Sequence, residues 1–250
     1  EDHHATSCHG LRLPRCPANG RGCYTPAMGG APDTIWADIE RAKRGDGDAR
    51  SLFVQQYQGV VRAYLFARWR SSPLLDQVDD AVQEVFIDFL KGALERADPD
   101  RPFRPFLFGV TRNVARRFEE RGARHRMAPL PSSTSGDLEA DDDPATAVFD
   151  RAWAKALVRE ARALQANQAQ DAGAAAARRV ELLELRFGEG LPIREIAEHF
   201  GEPADRVHRQ YAQARREFRR ALEQVVRRHH GGNGGGLDAE CRRLLDCFAG

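Results

Sequence analysis

Apolar residues recur every three or four positions over most of this chain, with no stretch of convincing alternation, and that spacing confines it to an α-helical fold. Phe53, Tyr57, Val60, Val61, Tyr64 and Leu65 follow the spacing, as do Val78, Val82, Val85, Phe86, Phe89 and Ala93. On a helix such residues line one face, whereas a half-buried strand needs a period of two. The pattern runs from Ile35 to about Arg126 and again from about Thr146 to His230. Residues 128–145 between them carry Pro, Ser, Gly and an acidic run (Asp137, Glu139, Asp141, Asp142, Asp143), which reads as a linker. The expected fold is therefore all-α: two small helical domains, 33–127 and 146–230, joined by a flexible acidic linker.

The flanks differ in kind. Residues 1–32 are rich in Gly, Pro, Cys and His without apolar period and read as a disordered lead-in, with Met28 as the expected true start. Residues 231–250 open on a Gly-rich hinge and end in a short tail, where Leu237–Phe248 has the makings of one amphipathic helix. The Ala/Gln stretch 164–177 forms helix readily but holds Gly173 and few large apolar residues, so it reads either as a long surface helix or as a mobile insertion. Gly45-Asp46-Gly47-Asp48 lacks the later ligands of a calcium loop and reads as a turn between helices.

Composition narrows the function by exclusion. Every apolar run is broken well short of the roughly 18 residues a membrane helix needs, which predicts a cytoplasmic protein without membrane insertion. The formal net charge is +1, so charge must be read segment by segment. Cys8, Cys16 and Cys23 lie near the start and Cys241 and Cys247 near the end. Their spacings do not match paired Cys-x-x-Cys zinc sites, so a metal or redox sensor is weakly supported, and neither metal nor cofactor is expected. No phosphate-cradling Gly-Lys-Ser/Thr loop, His-Glu-x-x-His or Gly-x-Ser-x-Gly is present, and the chain reads as no enzyme.

The C-terminal part carries a helix-turn-helix. Pro192 suits the first turn of a short helix through Phe200, and Gly201 is placed to end it. A small Ala197 and Gly201 four residues later suit two helices crossing at a tight turn, where larger side chains would push them apart. The next helix puts Val207, Tyr211, Ala214, Phe218, Leu222 and Val225 on one stripe and Arg209, Gln213, Arg216 and Arg220 opposite. Entering a major groove, it would bring Asp205, Arg206, His208 and Arg209 to base edges, with Gln213 and Arg216 behind them and the later arginines on phosphates.

The N-terminal part separates charge by sign. Asp76, Asp80, Glu84 and Asp88 stand at four-residue spacings, where like charges repel by a few tenths of a kcal/mol per pair. Either a basic partner relieves them or the face is simply solvated. The following segment, Arg101 to Asn113, interleaves aromatic and basic residues and continues through Arg116, Arg117, Arg121, Arg124 and Arg126. Unpaired nucleic acid is bound by such surfaces, aromatic faces taking bases while arginines follow the backbone. At helical spacing Phe106, Val110 and Phe118 read equally as core; Phe103, flanked by prolines ahead of the helix, is the better candidate for a base.

Three blocks in order carry a family resemblance. Val78-Asp79-Asp80-Ala81-Val82-Gln83-Glu84-Val85-Phe86 resembles the polymerase-binding helix of the sigma-70 family, extracytoplasmic-function group. Phe103 to Asn113 is similar to its promoter-melting segment, and Leu185 to Glu198 to the start of its second DNA-binding domain. The resemblance implies that Asp79, Asp80, Gln83 and Glu84 contact core RNA polymerase. It implies that Phe103, Arg104, Arg112, Asn113, Arg116 and Arg117 capture and unpair the −10 element, taking the non-template strand. The helix from Ala204, through Asp205, Arg206, His208, Arg209, Gln213 and Arg216, would read the −35 element as duplex.

An anti-sigma factor is a further class of partner the resemblance leaves room for. Phe106 stands where the family usually has Trp, Glu202 where it has an apolar residue, and His208, Arg209 and Gln210 where Lys, Ser and Arg are commoner. These departures leave the promoter sequence open.

A coil as long as the linker averages about 20–25 Å end to end, against about 34 Å or more between sites over one duplex turn apart. The free protein is thus expected to be compact or flexible, with polymerase holding the domains apart. The competing account, a stand-alone helix-turn-helix regulator binding as a dimer, would leave the acidic helix without a use.

Overall fold

A computed structural model of the chain describes residues 35–92, 98, 101–126 and 144–230. The expected lead-in, Met28, all five cysteines, most of the linker, Ala93 and the C-terminal hinge and tail lie outside the described residues. Eight α-helices, and no strand, occur among the described residues: α1 (Ile35–Lys43), α2 (Gly47–Trp69), α3 (Val78–Lys91), α4 (Phe103–Arg126), α5 (Pro144–Ala172), α6 (Ala174–Leu183), α7 (Ile193–Phe200) and α8 (Ala204–His230). A π-helical turn, Glu184–Gly188, follows α6. No helix among them is long and apolar enough to cross a membrane.

Local chemistry sets the helix starts. Asp46 caps α2, its side chain accepting from the backbone N–H groups of Asp48 (3.1 Å) and Ala49 (3.0 Å). Those N–H groups, Ala49's first, and the Arg41 guanidinium hold its carboxyl below the usual range. This acidic motif is a helix cap. Pro144 opens α5 two residues earlier than the apolar period suggested, as a residue without an N–H can at a first helical position.

The stripe expected on α2 lies in the larger apolar cluster: Phe53, Tyr57, Val60, Val61, Tyr64 and Leu65 are all buried, as are Val78, Val82, Val85, Phe86 and Phe89 of α3. Glu119 of α4 fastens that helix to α2, accepting from Arg68 (2.6 Å) and from the Trp69 indole N–H (2.9 Å). Ahead of the helix-turn-helix, α5 turns Phe149, Trp153 and Leu157 into the same apolar cluster, and the end of α8 adds Ala221, Val225 and Val226. One core thus runs through both helical parts. A second, smaller cluster of Leu182, Leu185, Ile196, Ala197 and Val207 holds α6, α7 and the start of α8 together.

Residues 164–177 are helical and packed at a few positions, more than a bare surface helix would be. They finish α5 and begin α6, with Gln165, Ala169 and Ala176 buried. Gln165 donates to the Ala214 carbonyl of α8 (3.2 Å), and small alanines let these helices approach closely.

Candidate nucleic-acid interface

The turn between α7 and α8 forms because Gly201 adopts the left-handed conformation, φ 63°. Its N–H donates to the Glu198 carbonyl (3.1 Å) and the next N–H, of Glu202, to Ala197 (3.0 Å), closing the helix end. A Cβ at position 201 would meet nothing within 4 Å. The sequence argument that a larger residue would push the helices apart is therefore corrected: glycine is needed for its backbone angle. Ala197, at 5% exposure in the small cluster, does carry the packing.

On α8, Val207, Ala214 and Val225 are fully buried, with Tyr211, Phe218 and Leu222 half-buried. Asp205, Arg206, His208, Arg209, Gln213 and Arg216 are all exposed. Gln213 also donates to Glu217 (3.0 Å), whose carboxylate receives the Arg179 fork. Burial pushes the Glu217 carboxyl up, but Arg179 and Gln213 together hold it below its usual range. The carboxylate is thus charged and braces α8 on α6.

The α4 candidates divide three ways. Arg112, Asn113 and Arg116 share one face by helical spacing, Asn113 exposed and the two arginines half-buried. Arg117 turns toward α3 and pairs with Glu84 (3.2 Å) and Asp88. Arg104 pairs with Asp150 of α5 and lies 5.9 Å from the centre of the Phe149 ring.

Phe103 corrects an expectation. It has 0% exposure, with its ring 5.1 Å from Tyr57, 5.6 Å from Trp36 and 6.2 Å from Trp153. The flanking prolines do not set it outside a helix, because α4 begins at Phe103 and Pro105 sits in the first turn, where proline is tolerated. Phe118 is core as the alternative reading held, and Phe106 and Val110 are half-buried against it.

The acidic stripe on α3 finds much of its basic partner inside the chain. Within the stripe Glu84 pairs with Arg117 and Arg121 (3.0 Å) and Asp88 with Arg117, and beside it Asp79 pairs with Arg62 of α2. Asp80 and Gln83 are exposed, on one face with Ile87, a large apolar residue at 45% exposure. Ile87 was missed in the sequence, although it falls out of phase with the buried stripe Val82, Val85, Phe86 and Phe89.

Also missed was a polar cluster, buried at Tyr57 and His229 and half-buried around them, where the end of α8 meets α1, α2 and α5. The His229 Nδ1–H donates to the Val225 carbonyl (2.9 Å), so Nε2 accepts from the Tyr57 hydroxyl (2.6 Å). Arg228 bridges Glu160 (2.8 Å) and Asp38 (2.7 Å), and Gln56 donates to Glu160. Partners 68 to 190 residues apart leave no local pattern to read.

Burial, opposed by the nearby Glu160 carboxylate, holds the His229 imidazole below its ordinary 6.5, and burial pushes the Tyr57 hydroxyl up. Acting on His229 are Tyr57 from α2, Glu160 from α5, Asp38 from α1 and Arg228 on its own helix. The unfolded chain takes up the proton near 6.5 and the folded chain only at lower pH. This contribution to stability is therefore complete above about 6.5 and is lost as pH falls through the lowered value, with a slope of at most about 1.4 kcal/mol per pH unit. Urea unfolding at stepped pH should show wild type losing more stability than His229→Asn on acidification. Equal losses in both would mean that His229 is not held neutral.

Residues 53–125 match the family model for Sigma-70 region 2, and residues 177–220 match that for Sigma-70, region 4. No curated protein matches the chain at a significant level. The first match takes in α3, most of α2 and nearly all of α4; the second takes in most of α6, all of α7 and the larger part of α8. All of α5 falls between them.

Proposed function

The chain belongs to the sigma-70 family of RNA polymerase sigma factors, acting in promoter recognition and transcription initiation, and on that premise we propose how its helices divide the work. The observation that carries the reading is the succession of region 2 and region 4 in one chain. A stand-alone helix-turn-helix regulator needs only the second. The small, two-region size fits the extracytoplasmic-function group.

In this reading core polymerase binds the exposed face of α3 through Asp80 and Gln83, with Ile87 adding apolar area. Asp79 and Glu84 orient that face while held by Arg62, Arg117 and Arg121. The accessible face of α4, with Arg112, Asn113 and Arg116, takes the −10 element, unpaired on the non-template strand. Arg117 acts from behind by bracing α4 on α3. Arg104 joins the DNA only once Asp150 releases it, as it would when α5 moves away from α4. Polymerase supplies that separation by binding the two regions apart, and α8 then reads the −35 duplex through Arg206, Arg209 and their exposed neighbours.

The test adds the purified protein to sigma-free core polymerase on fragmented DNA of its own genome and maps transcript starts. Wild type should give discrete starts. Asp80→Ala with Gln83→Ala should reduce them at least about tenfold, the effect of losing roughly 1.4 kcal/mol at an interface. Undiminished transcripts would remove α3 from the polymerase contact. No specific starts from wild type would remove the assignment of polymerase as partner.

A further inference from the structure

A helix that ends on a left-handed glycine commonly seals the turn with an apolar residue immediately after it, packed back on the last helical turn. Here that residue is Glu202, and its side chain is only 18% exposed. A carboxylate in that position must find polar partners, and it finds them on two elements, α8 and α6. One oxygen, Oε2, accepts from the Gln210 amide (3.0 Å) and lies 3.4 Å from the Arg206 Nε. The other, Oε1, faces Arg178 of α6 at 3.9 Å. Arg178 is itself fixed, donating to the Phe200 carbonyl (3.1 Å) with its guanidinium 4.0 Å from the Phe200 ring centre.

These contacts carry a directional consequence for Arg206, whose own side chain is 62% exposed. A guanidinium has five N–H donors, one on Nε and four on the two terminal nitrogens. Glu202 lies on the Nε edge as an ion pair at 3.4 Å. The two terminal nitrogens have no partner among the described residues, and on a side chain that is 62% exposed such a pair can bond O6 and N7 of a guanine in the major groove. An arginine on a bare helix surface searches many rotamers before it makes those two bonds; one held by its Nε edge searches few.

We infer that Glu202 is a positioning residue for duplex recognition, holding Arg206 in a preset fork for one guanine while Gln210 and Arg178 keep Glu202 itself in place. The inference rests on the reading of α8 as the −35-binding helix. It assigns a purpose to the polar residue in the turn and to Gln210, both departures from the family pattern.

The test is selection of start sites from a pool of promoters with a randomised −35 duplex, using polymerase assembled with the full chain. Wild type should prefer a guanine at one position. Glu202→Leu, which restores the usual apolar contact and keeps the fold, should lower that preference about five- to tenfold, with the other positions unchanged. Glu202→Gln, which keeps the length and an acceptor oxygen, should retain most of it. Arg206→Ala should abolish the same preference, and Glu202→Leu should add nothing further in that background. A Glu202→Leu motif identical to wild type, or an equal loss at every position, would overturn the inference while leaving the function intact. Absence of any sequence preference in wild type would instead bring down the reading of α8.

Discussion

Phe103→Ala is expected to destabilise the protein by about 3–5 kcal/mol, the usual cost of emptying a phenylalanine site in a packed core. Phe103→Leu, which keeps most of the volume, should cost under about 1.5 kcal/mol and leave transcript starts unchanged. The ring has no exposed surface, and Trp36, Phe53, Tyr57 and Trp153 surround it with centroids 5.1–6.2 Å away. Two measurements separate core from base capture. Urea unfolding reads the first, and reactivity of unpaired thymines in the open promoter reads the second. A Phe103→Leu protein that is nearly as stable as wild type but fails to unpair the promoter would return Phe103 to the DNA.

That residue also shows where sequence reasoning reaches its limit. The stripes on α2, α3 and α8 are local, each determined by a 3.6-residue period, and they could be read without knowing what they pack against. Whether Phe103 turned inward depended on where α4 began, and two prolines gave an ambiguous sign, since proline both precedes helices and occupies their first turn. Arg104 and Arg117 looked like DNA contacts because a run of arginines beside aromatics has that composition. Their carboxylate partners, Asp150 and Glu84 with Asp88, lie 29 to 46 residues away and become neighbours only through tertiary packing.

The six candidates on α8 were legible for the opposite reason. They oppose a buried stripe on the same helix, so one period predicts both faces. The two-region reading was equally accessible, because each region carries its own motif. The packing of α5 against α2 was not: Phe149, Trp153 and Leu157 formed an apolar face whose partner the sequence did not name.

Trp153→Ala should be as costly as Phe103→Ala, about 3–5 kcal/mol, with a different consequence. Trp153 stacks on Tyr57 of α2 (5.7 Å, 14° between planes), meets Phe103 of α4, and lies edge-on to His229 of α8 (5.4 Å). One α5 side chain thus joins the region 2 core to the end of α8. Beside the apolar part of the seam lies a polar part: Gln56 with Glu160, Arg228 with Glu160 and Asp38, Tyr57 with His229. Such groups recover their hydration when a seam parts, so they favour a specific fit over permanent attachment.

Emptying the Trp153 site should therefore weaken the joint more than either half. Hydrogen exchange should accelerate first at the end of α8 and in α5, ahead of the α2–α3 core. In assembled holoenzyme, where polymerase is proposed to hold the regions apart, the same variant should initiate within about twofold of wild type, because the joint is then already open. Exchange that rises uniformly through α2, α3 and α5 would show one indivisible core. Transcription that falls in step with stability would show that the regions stay packed while they work.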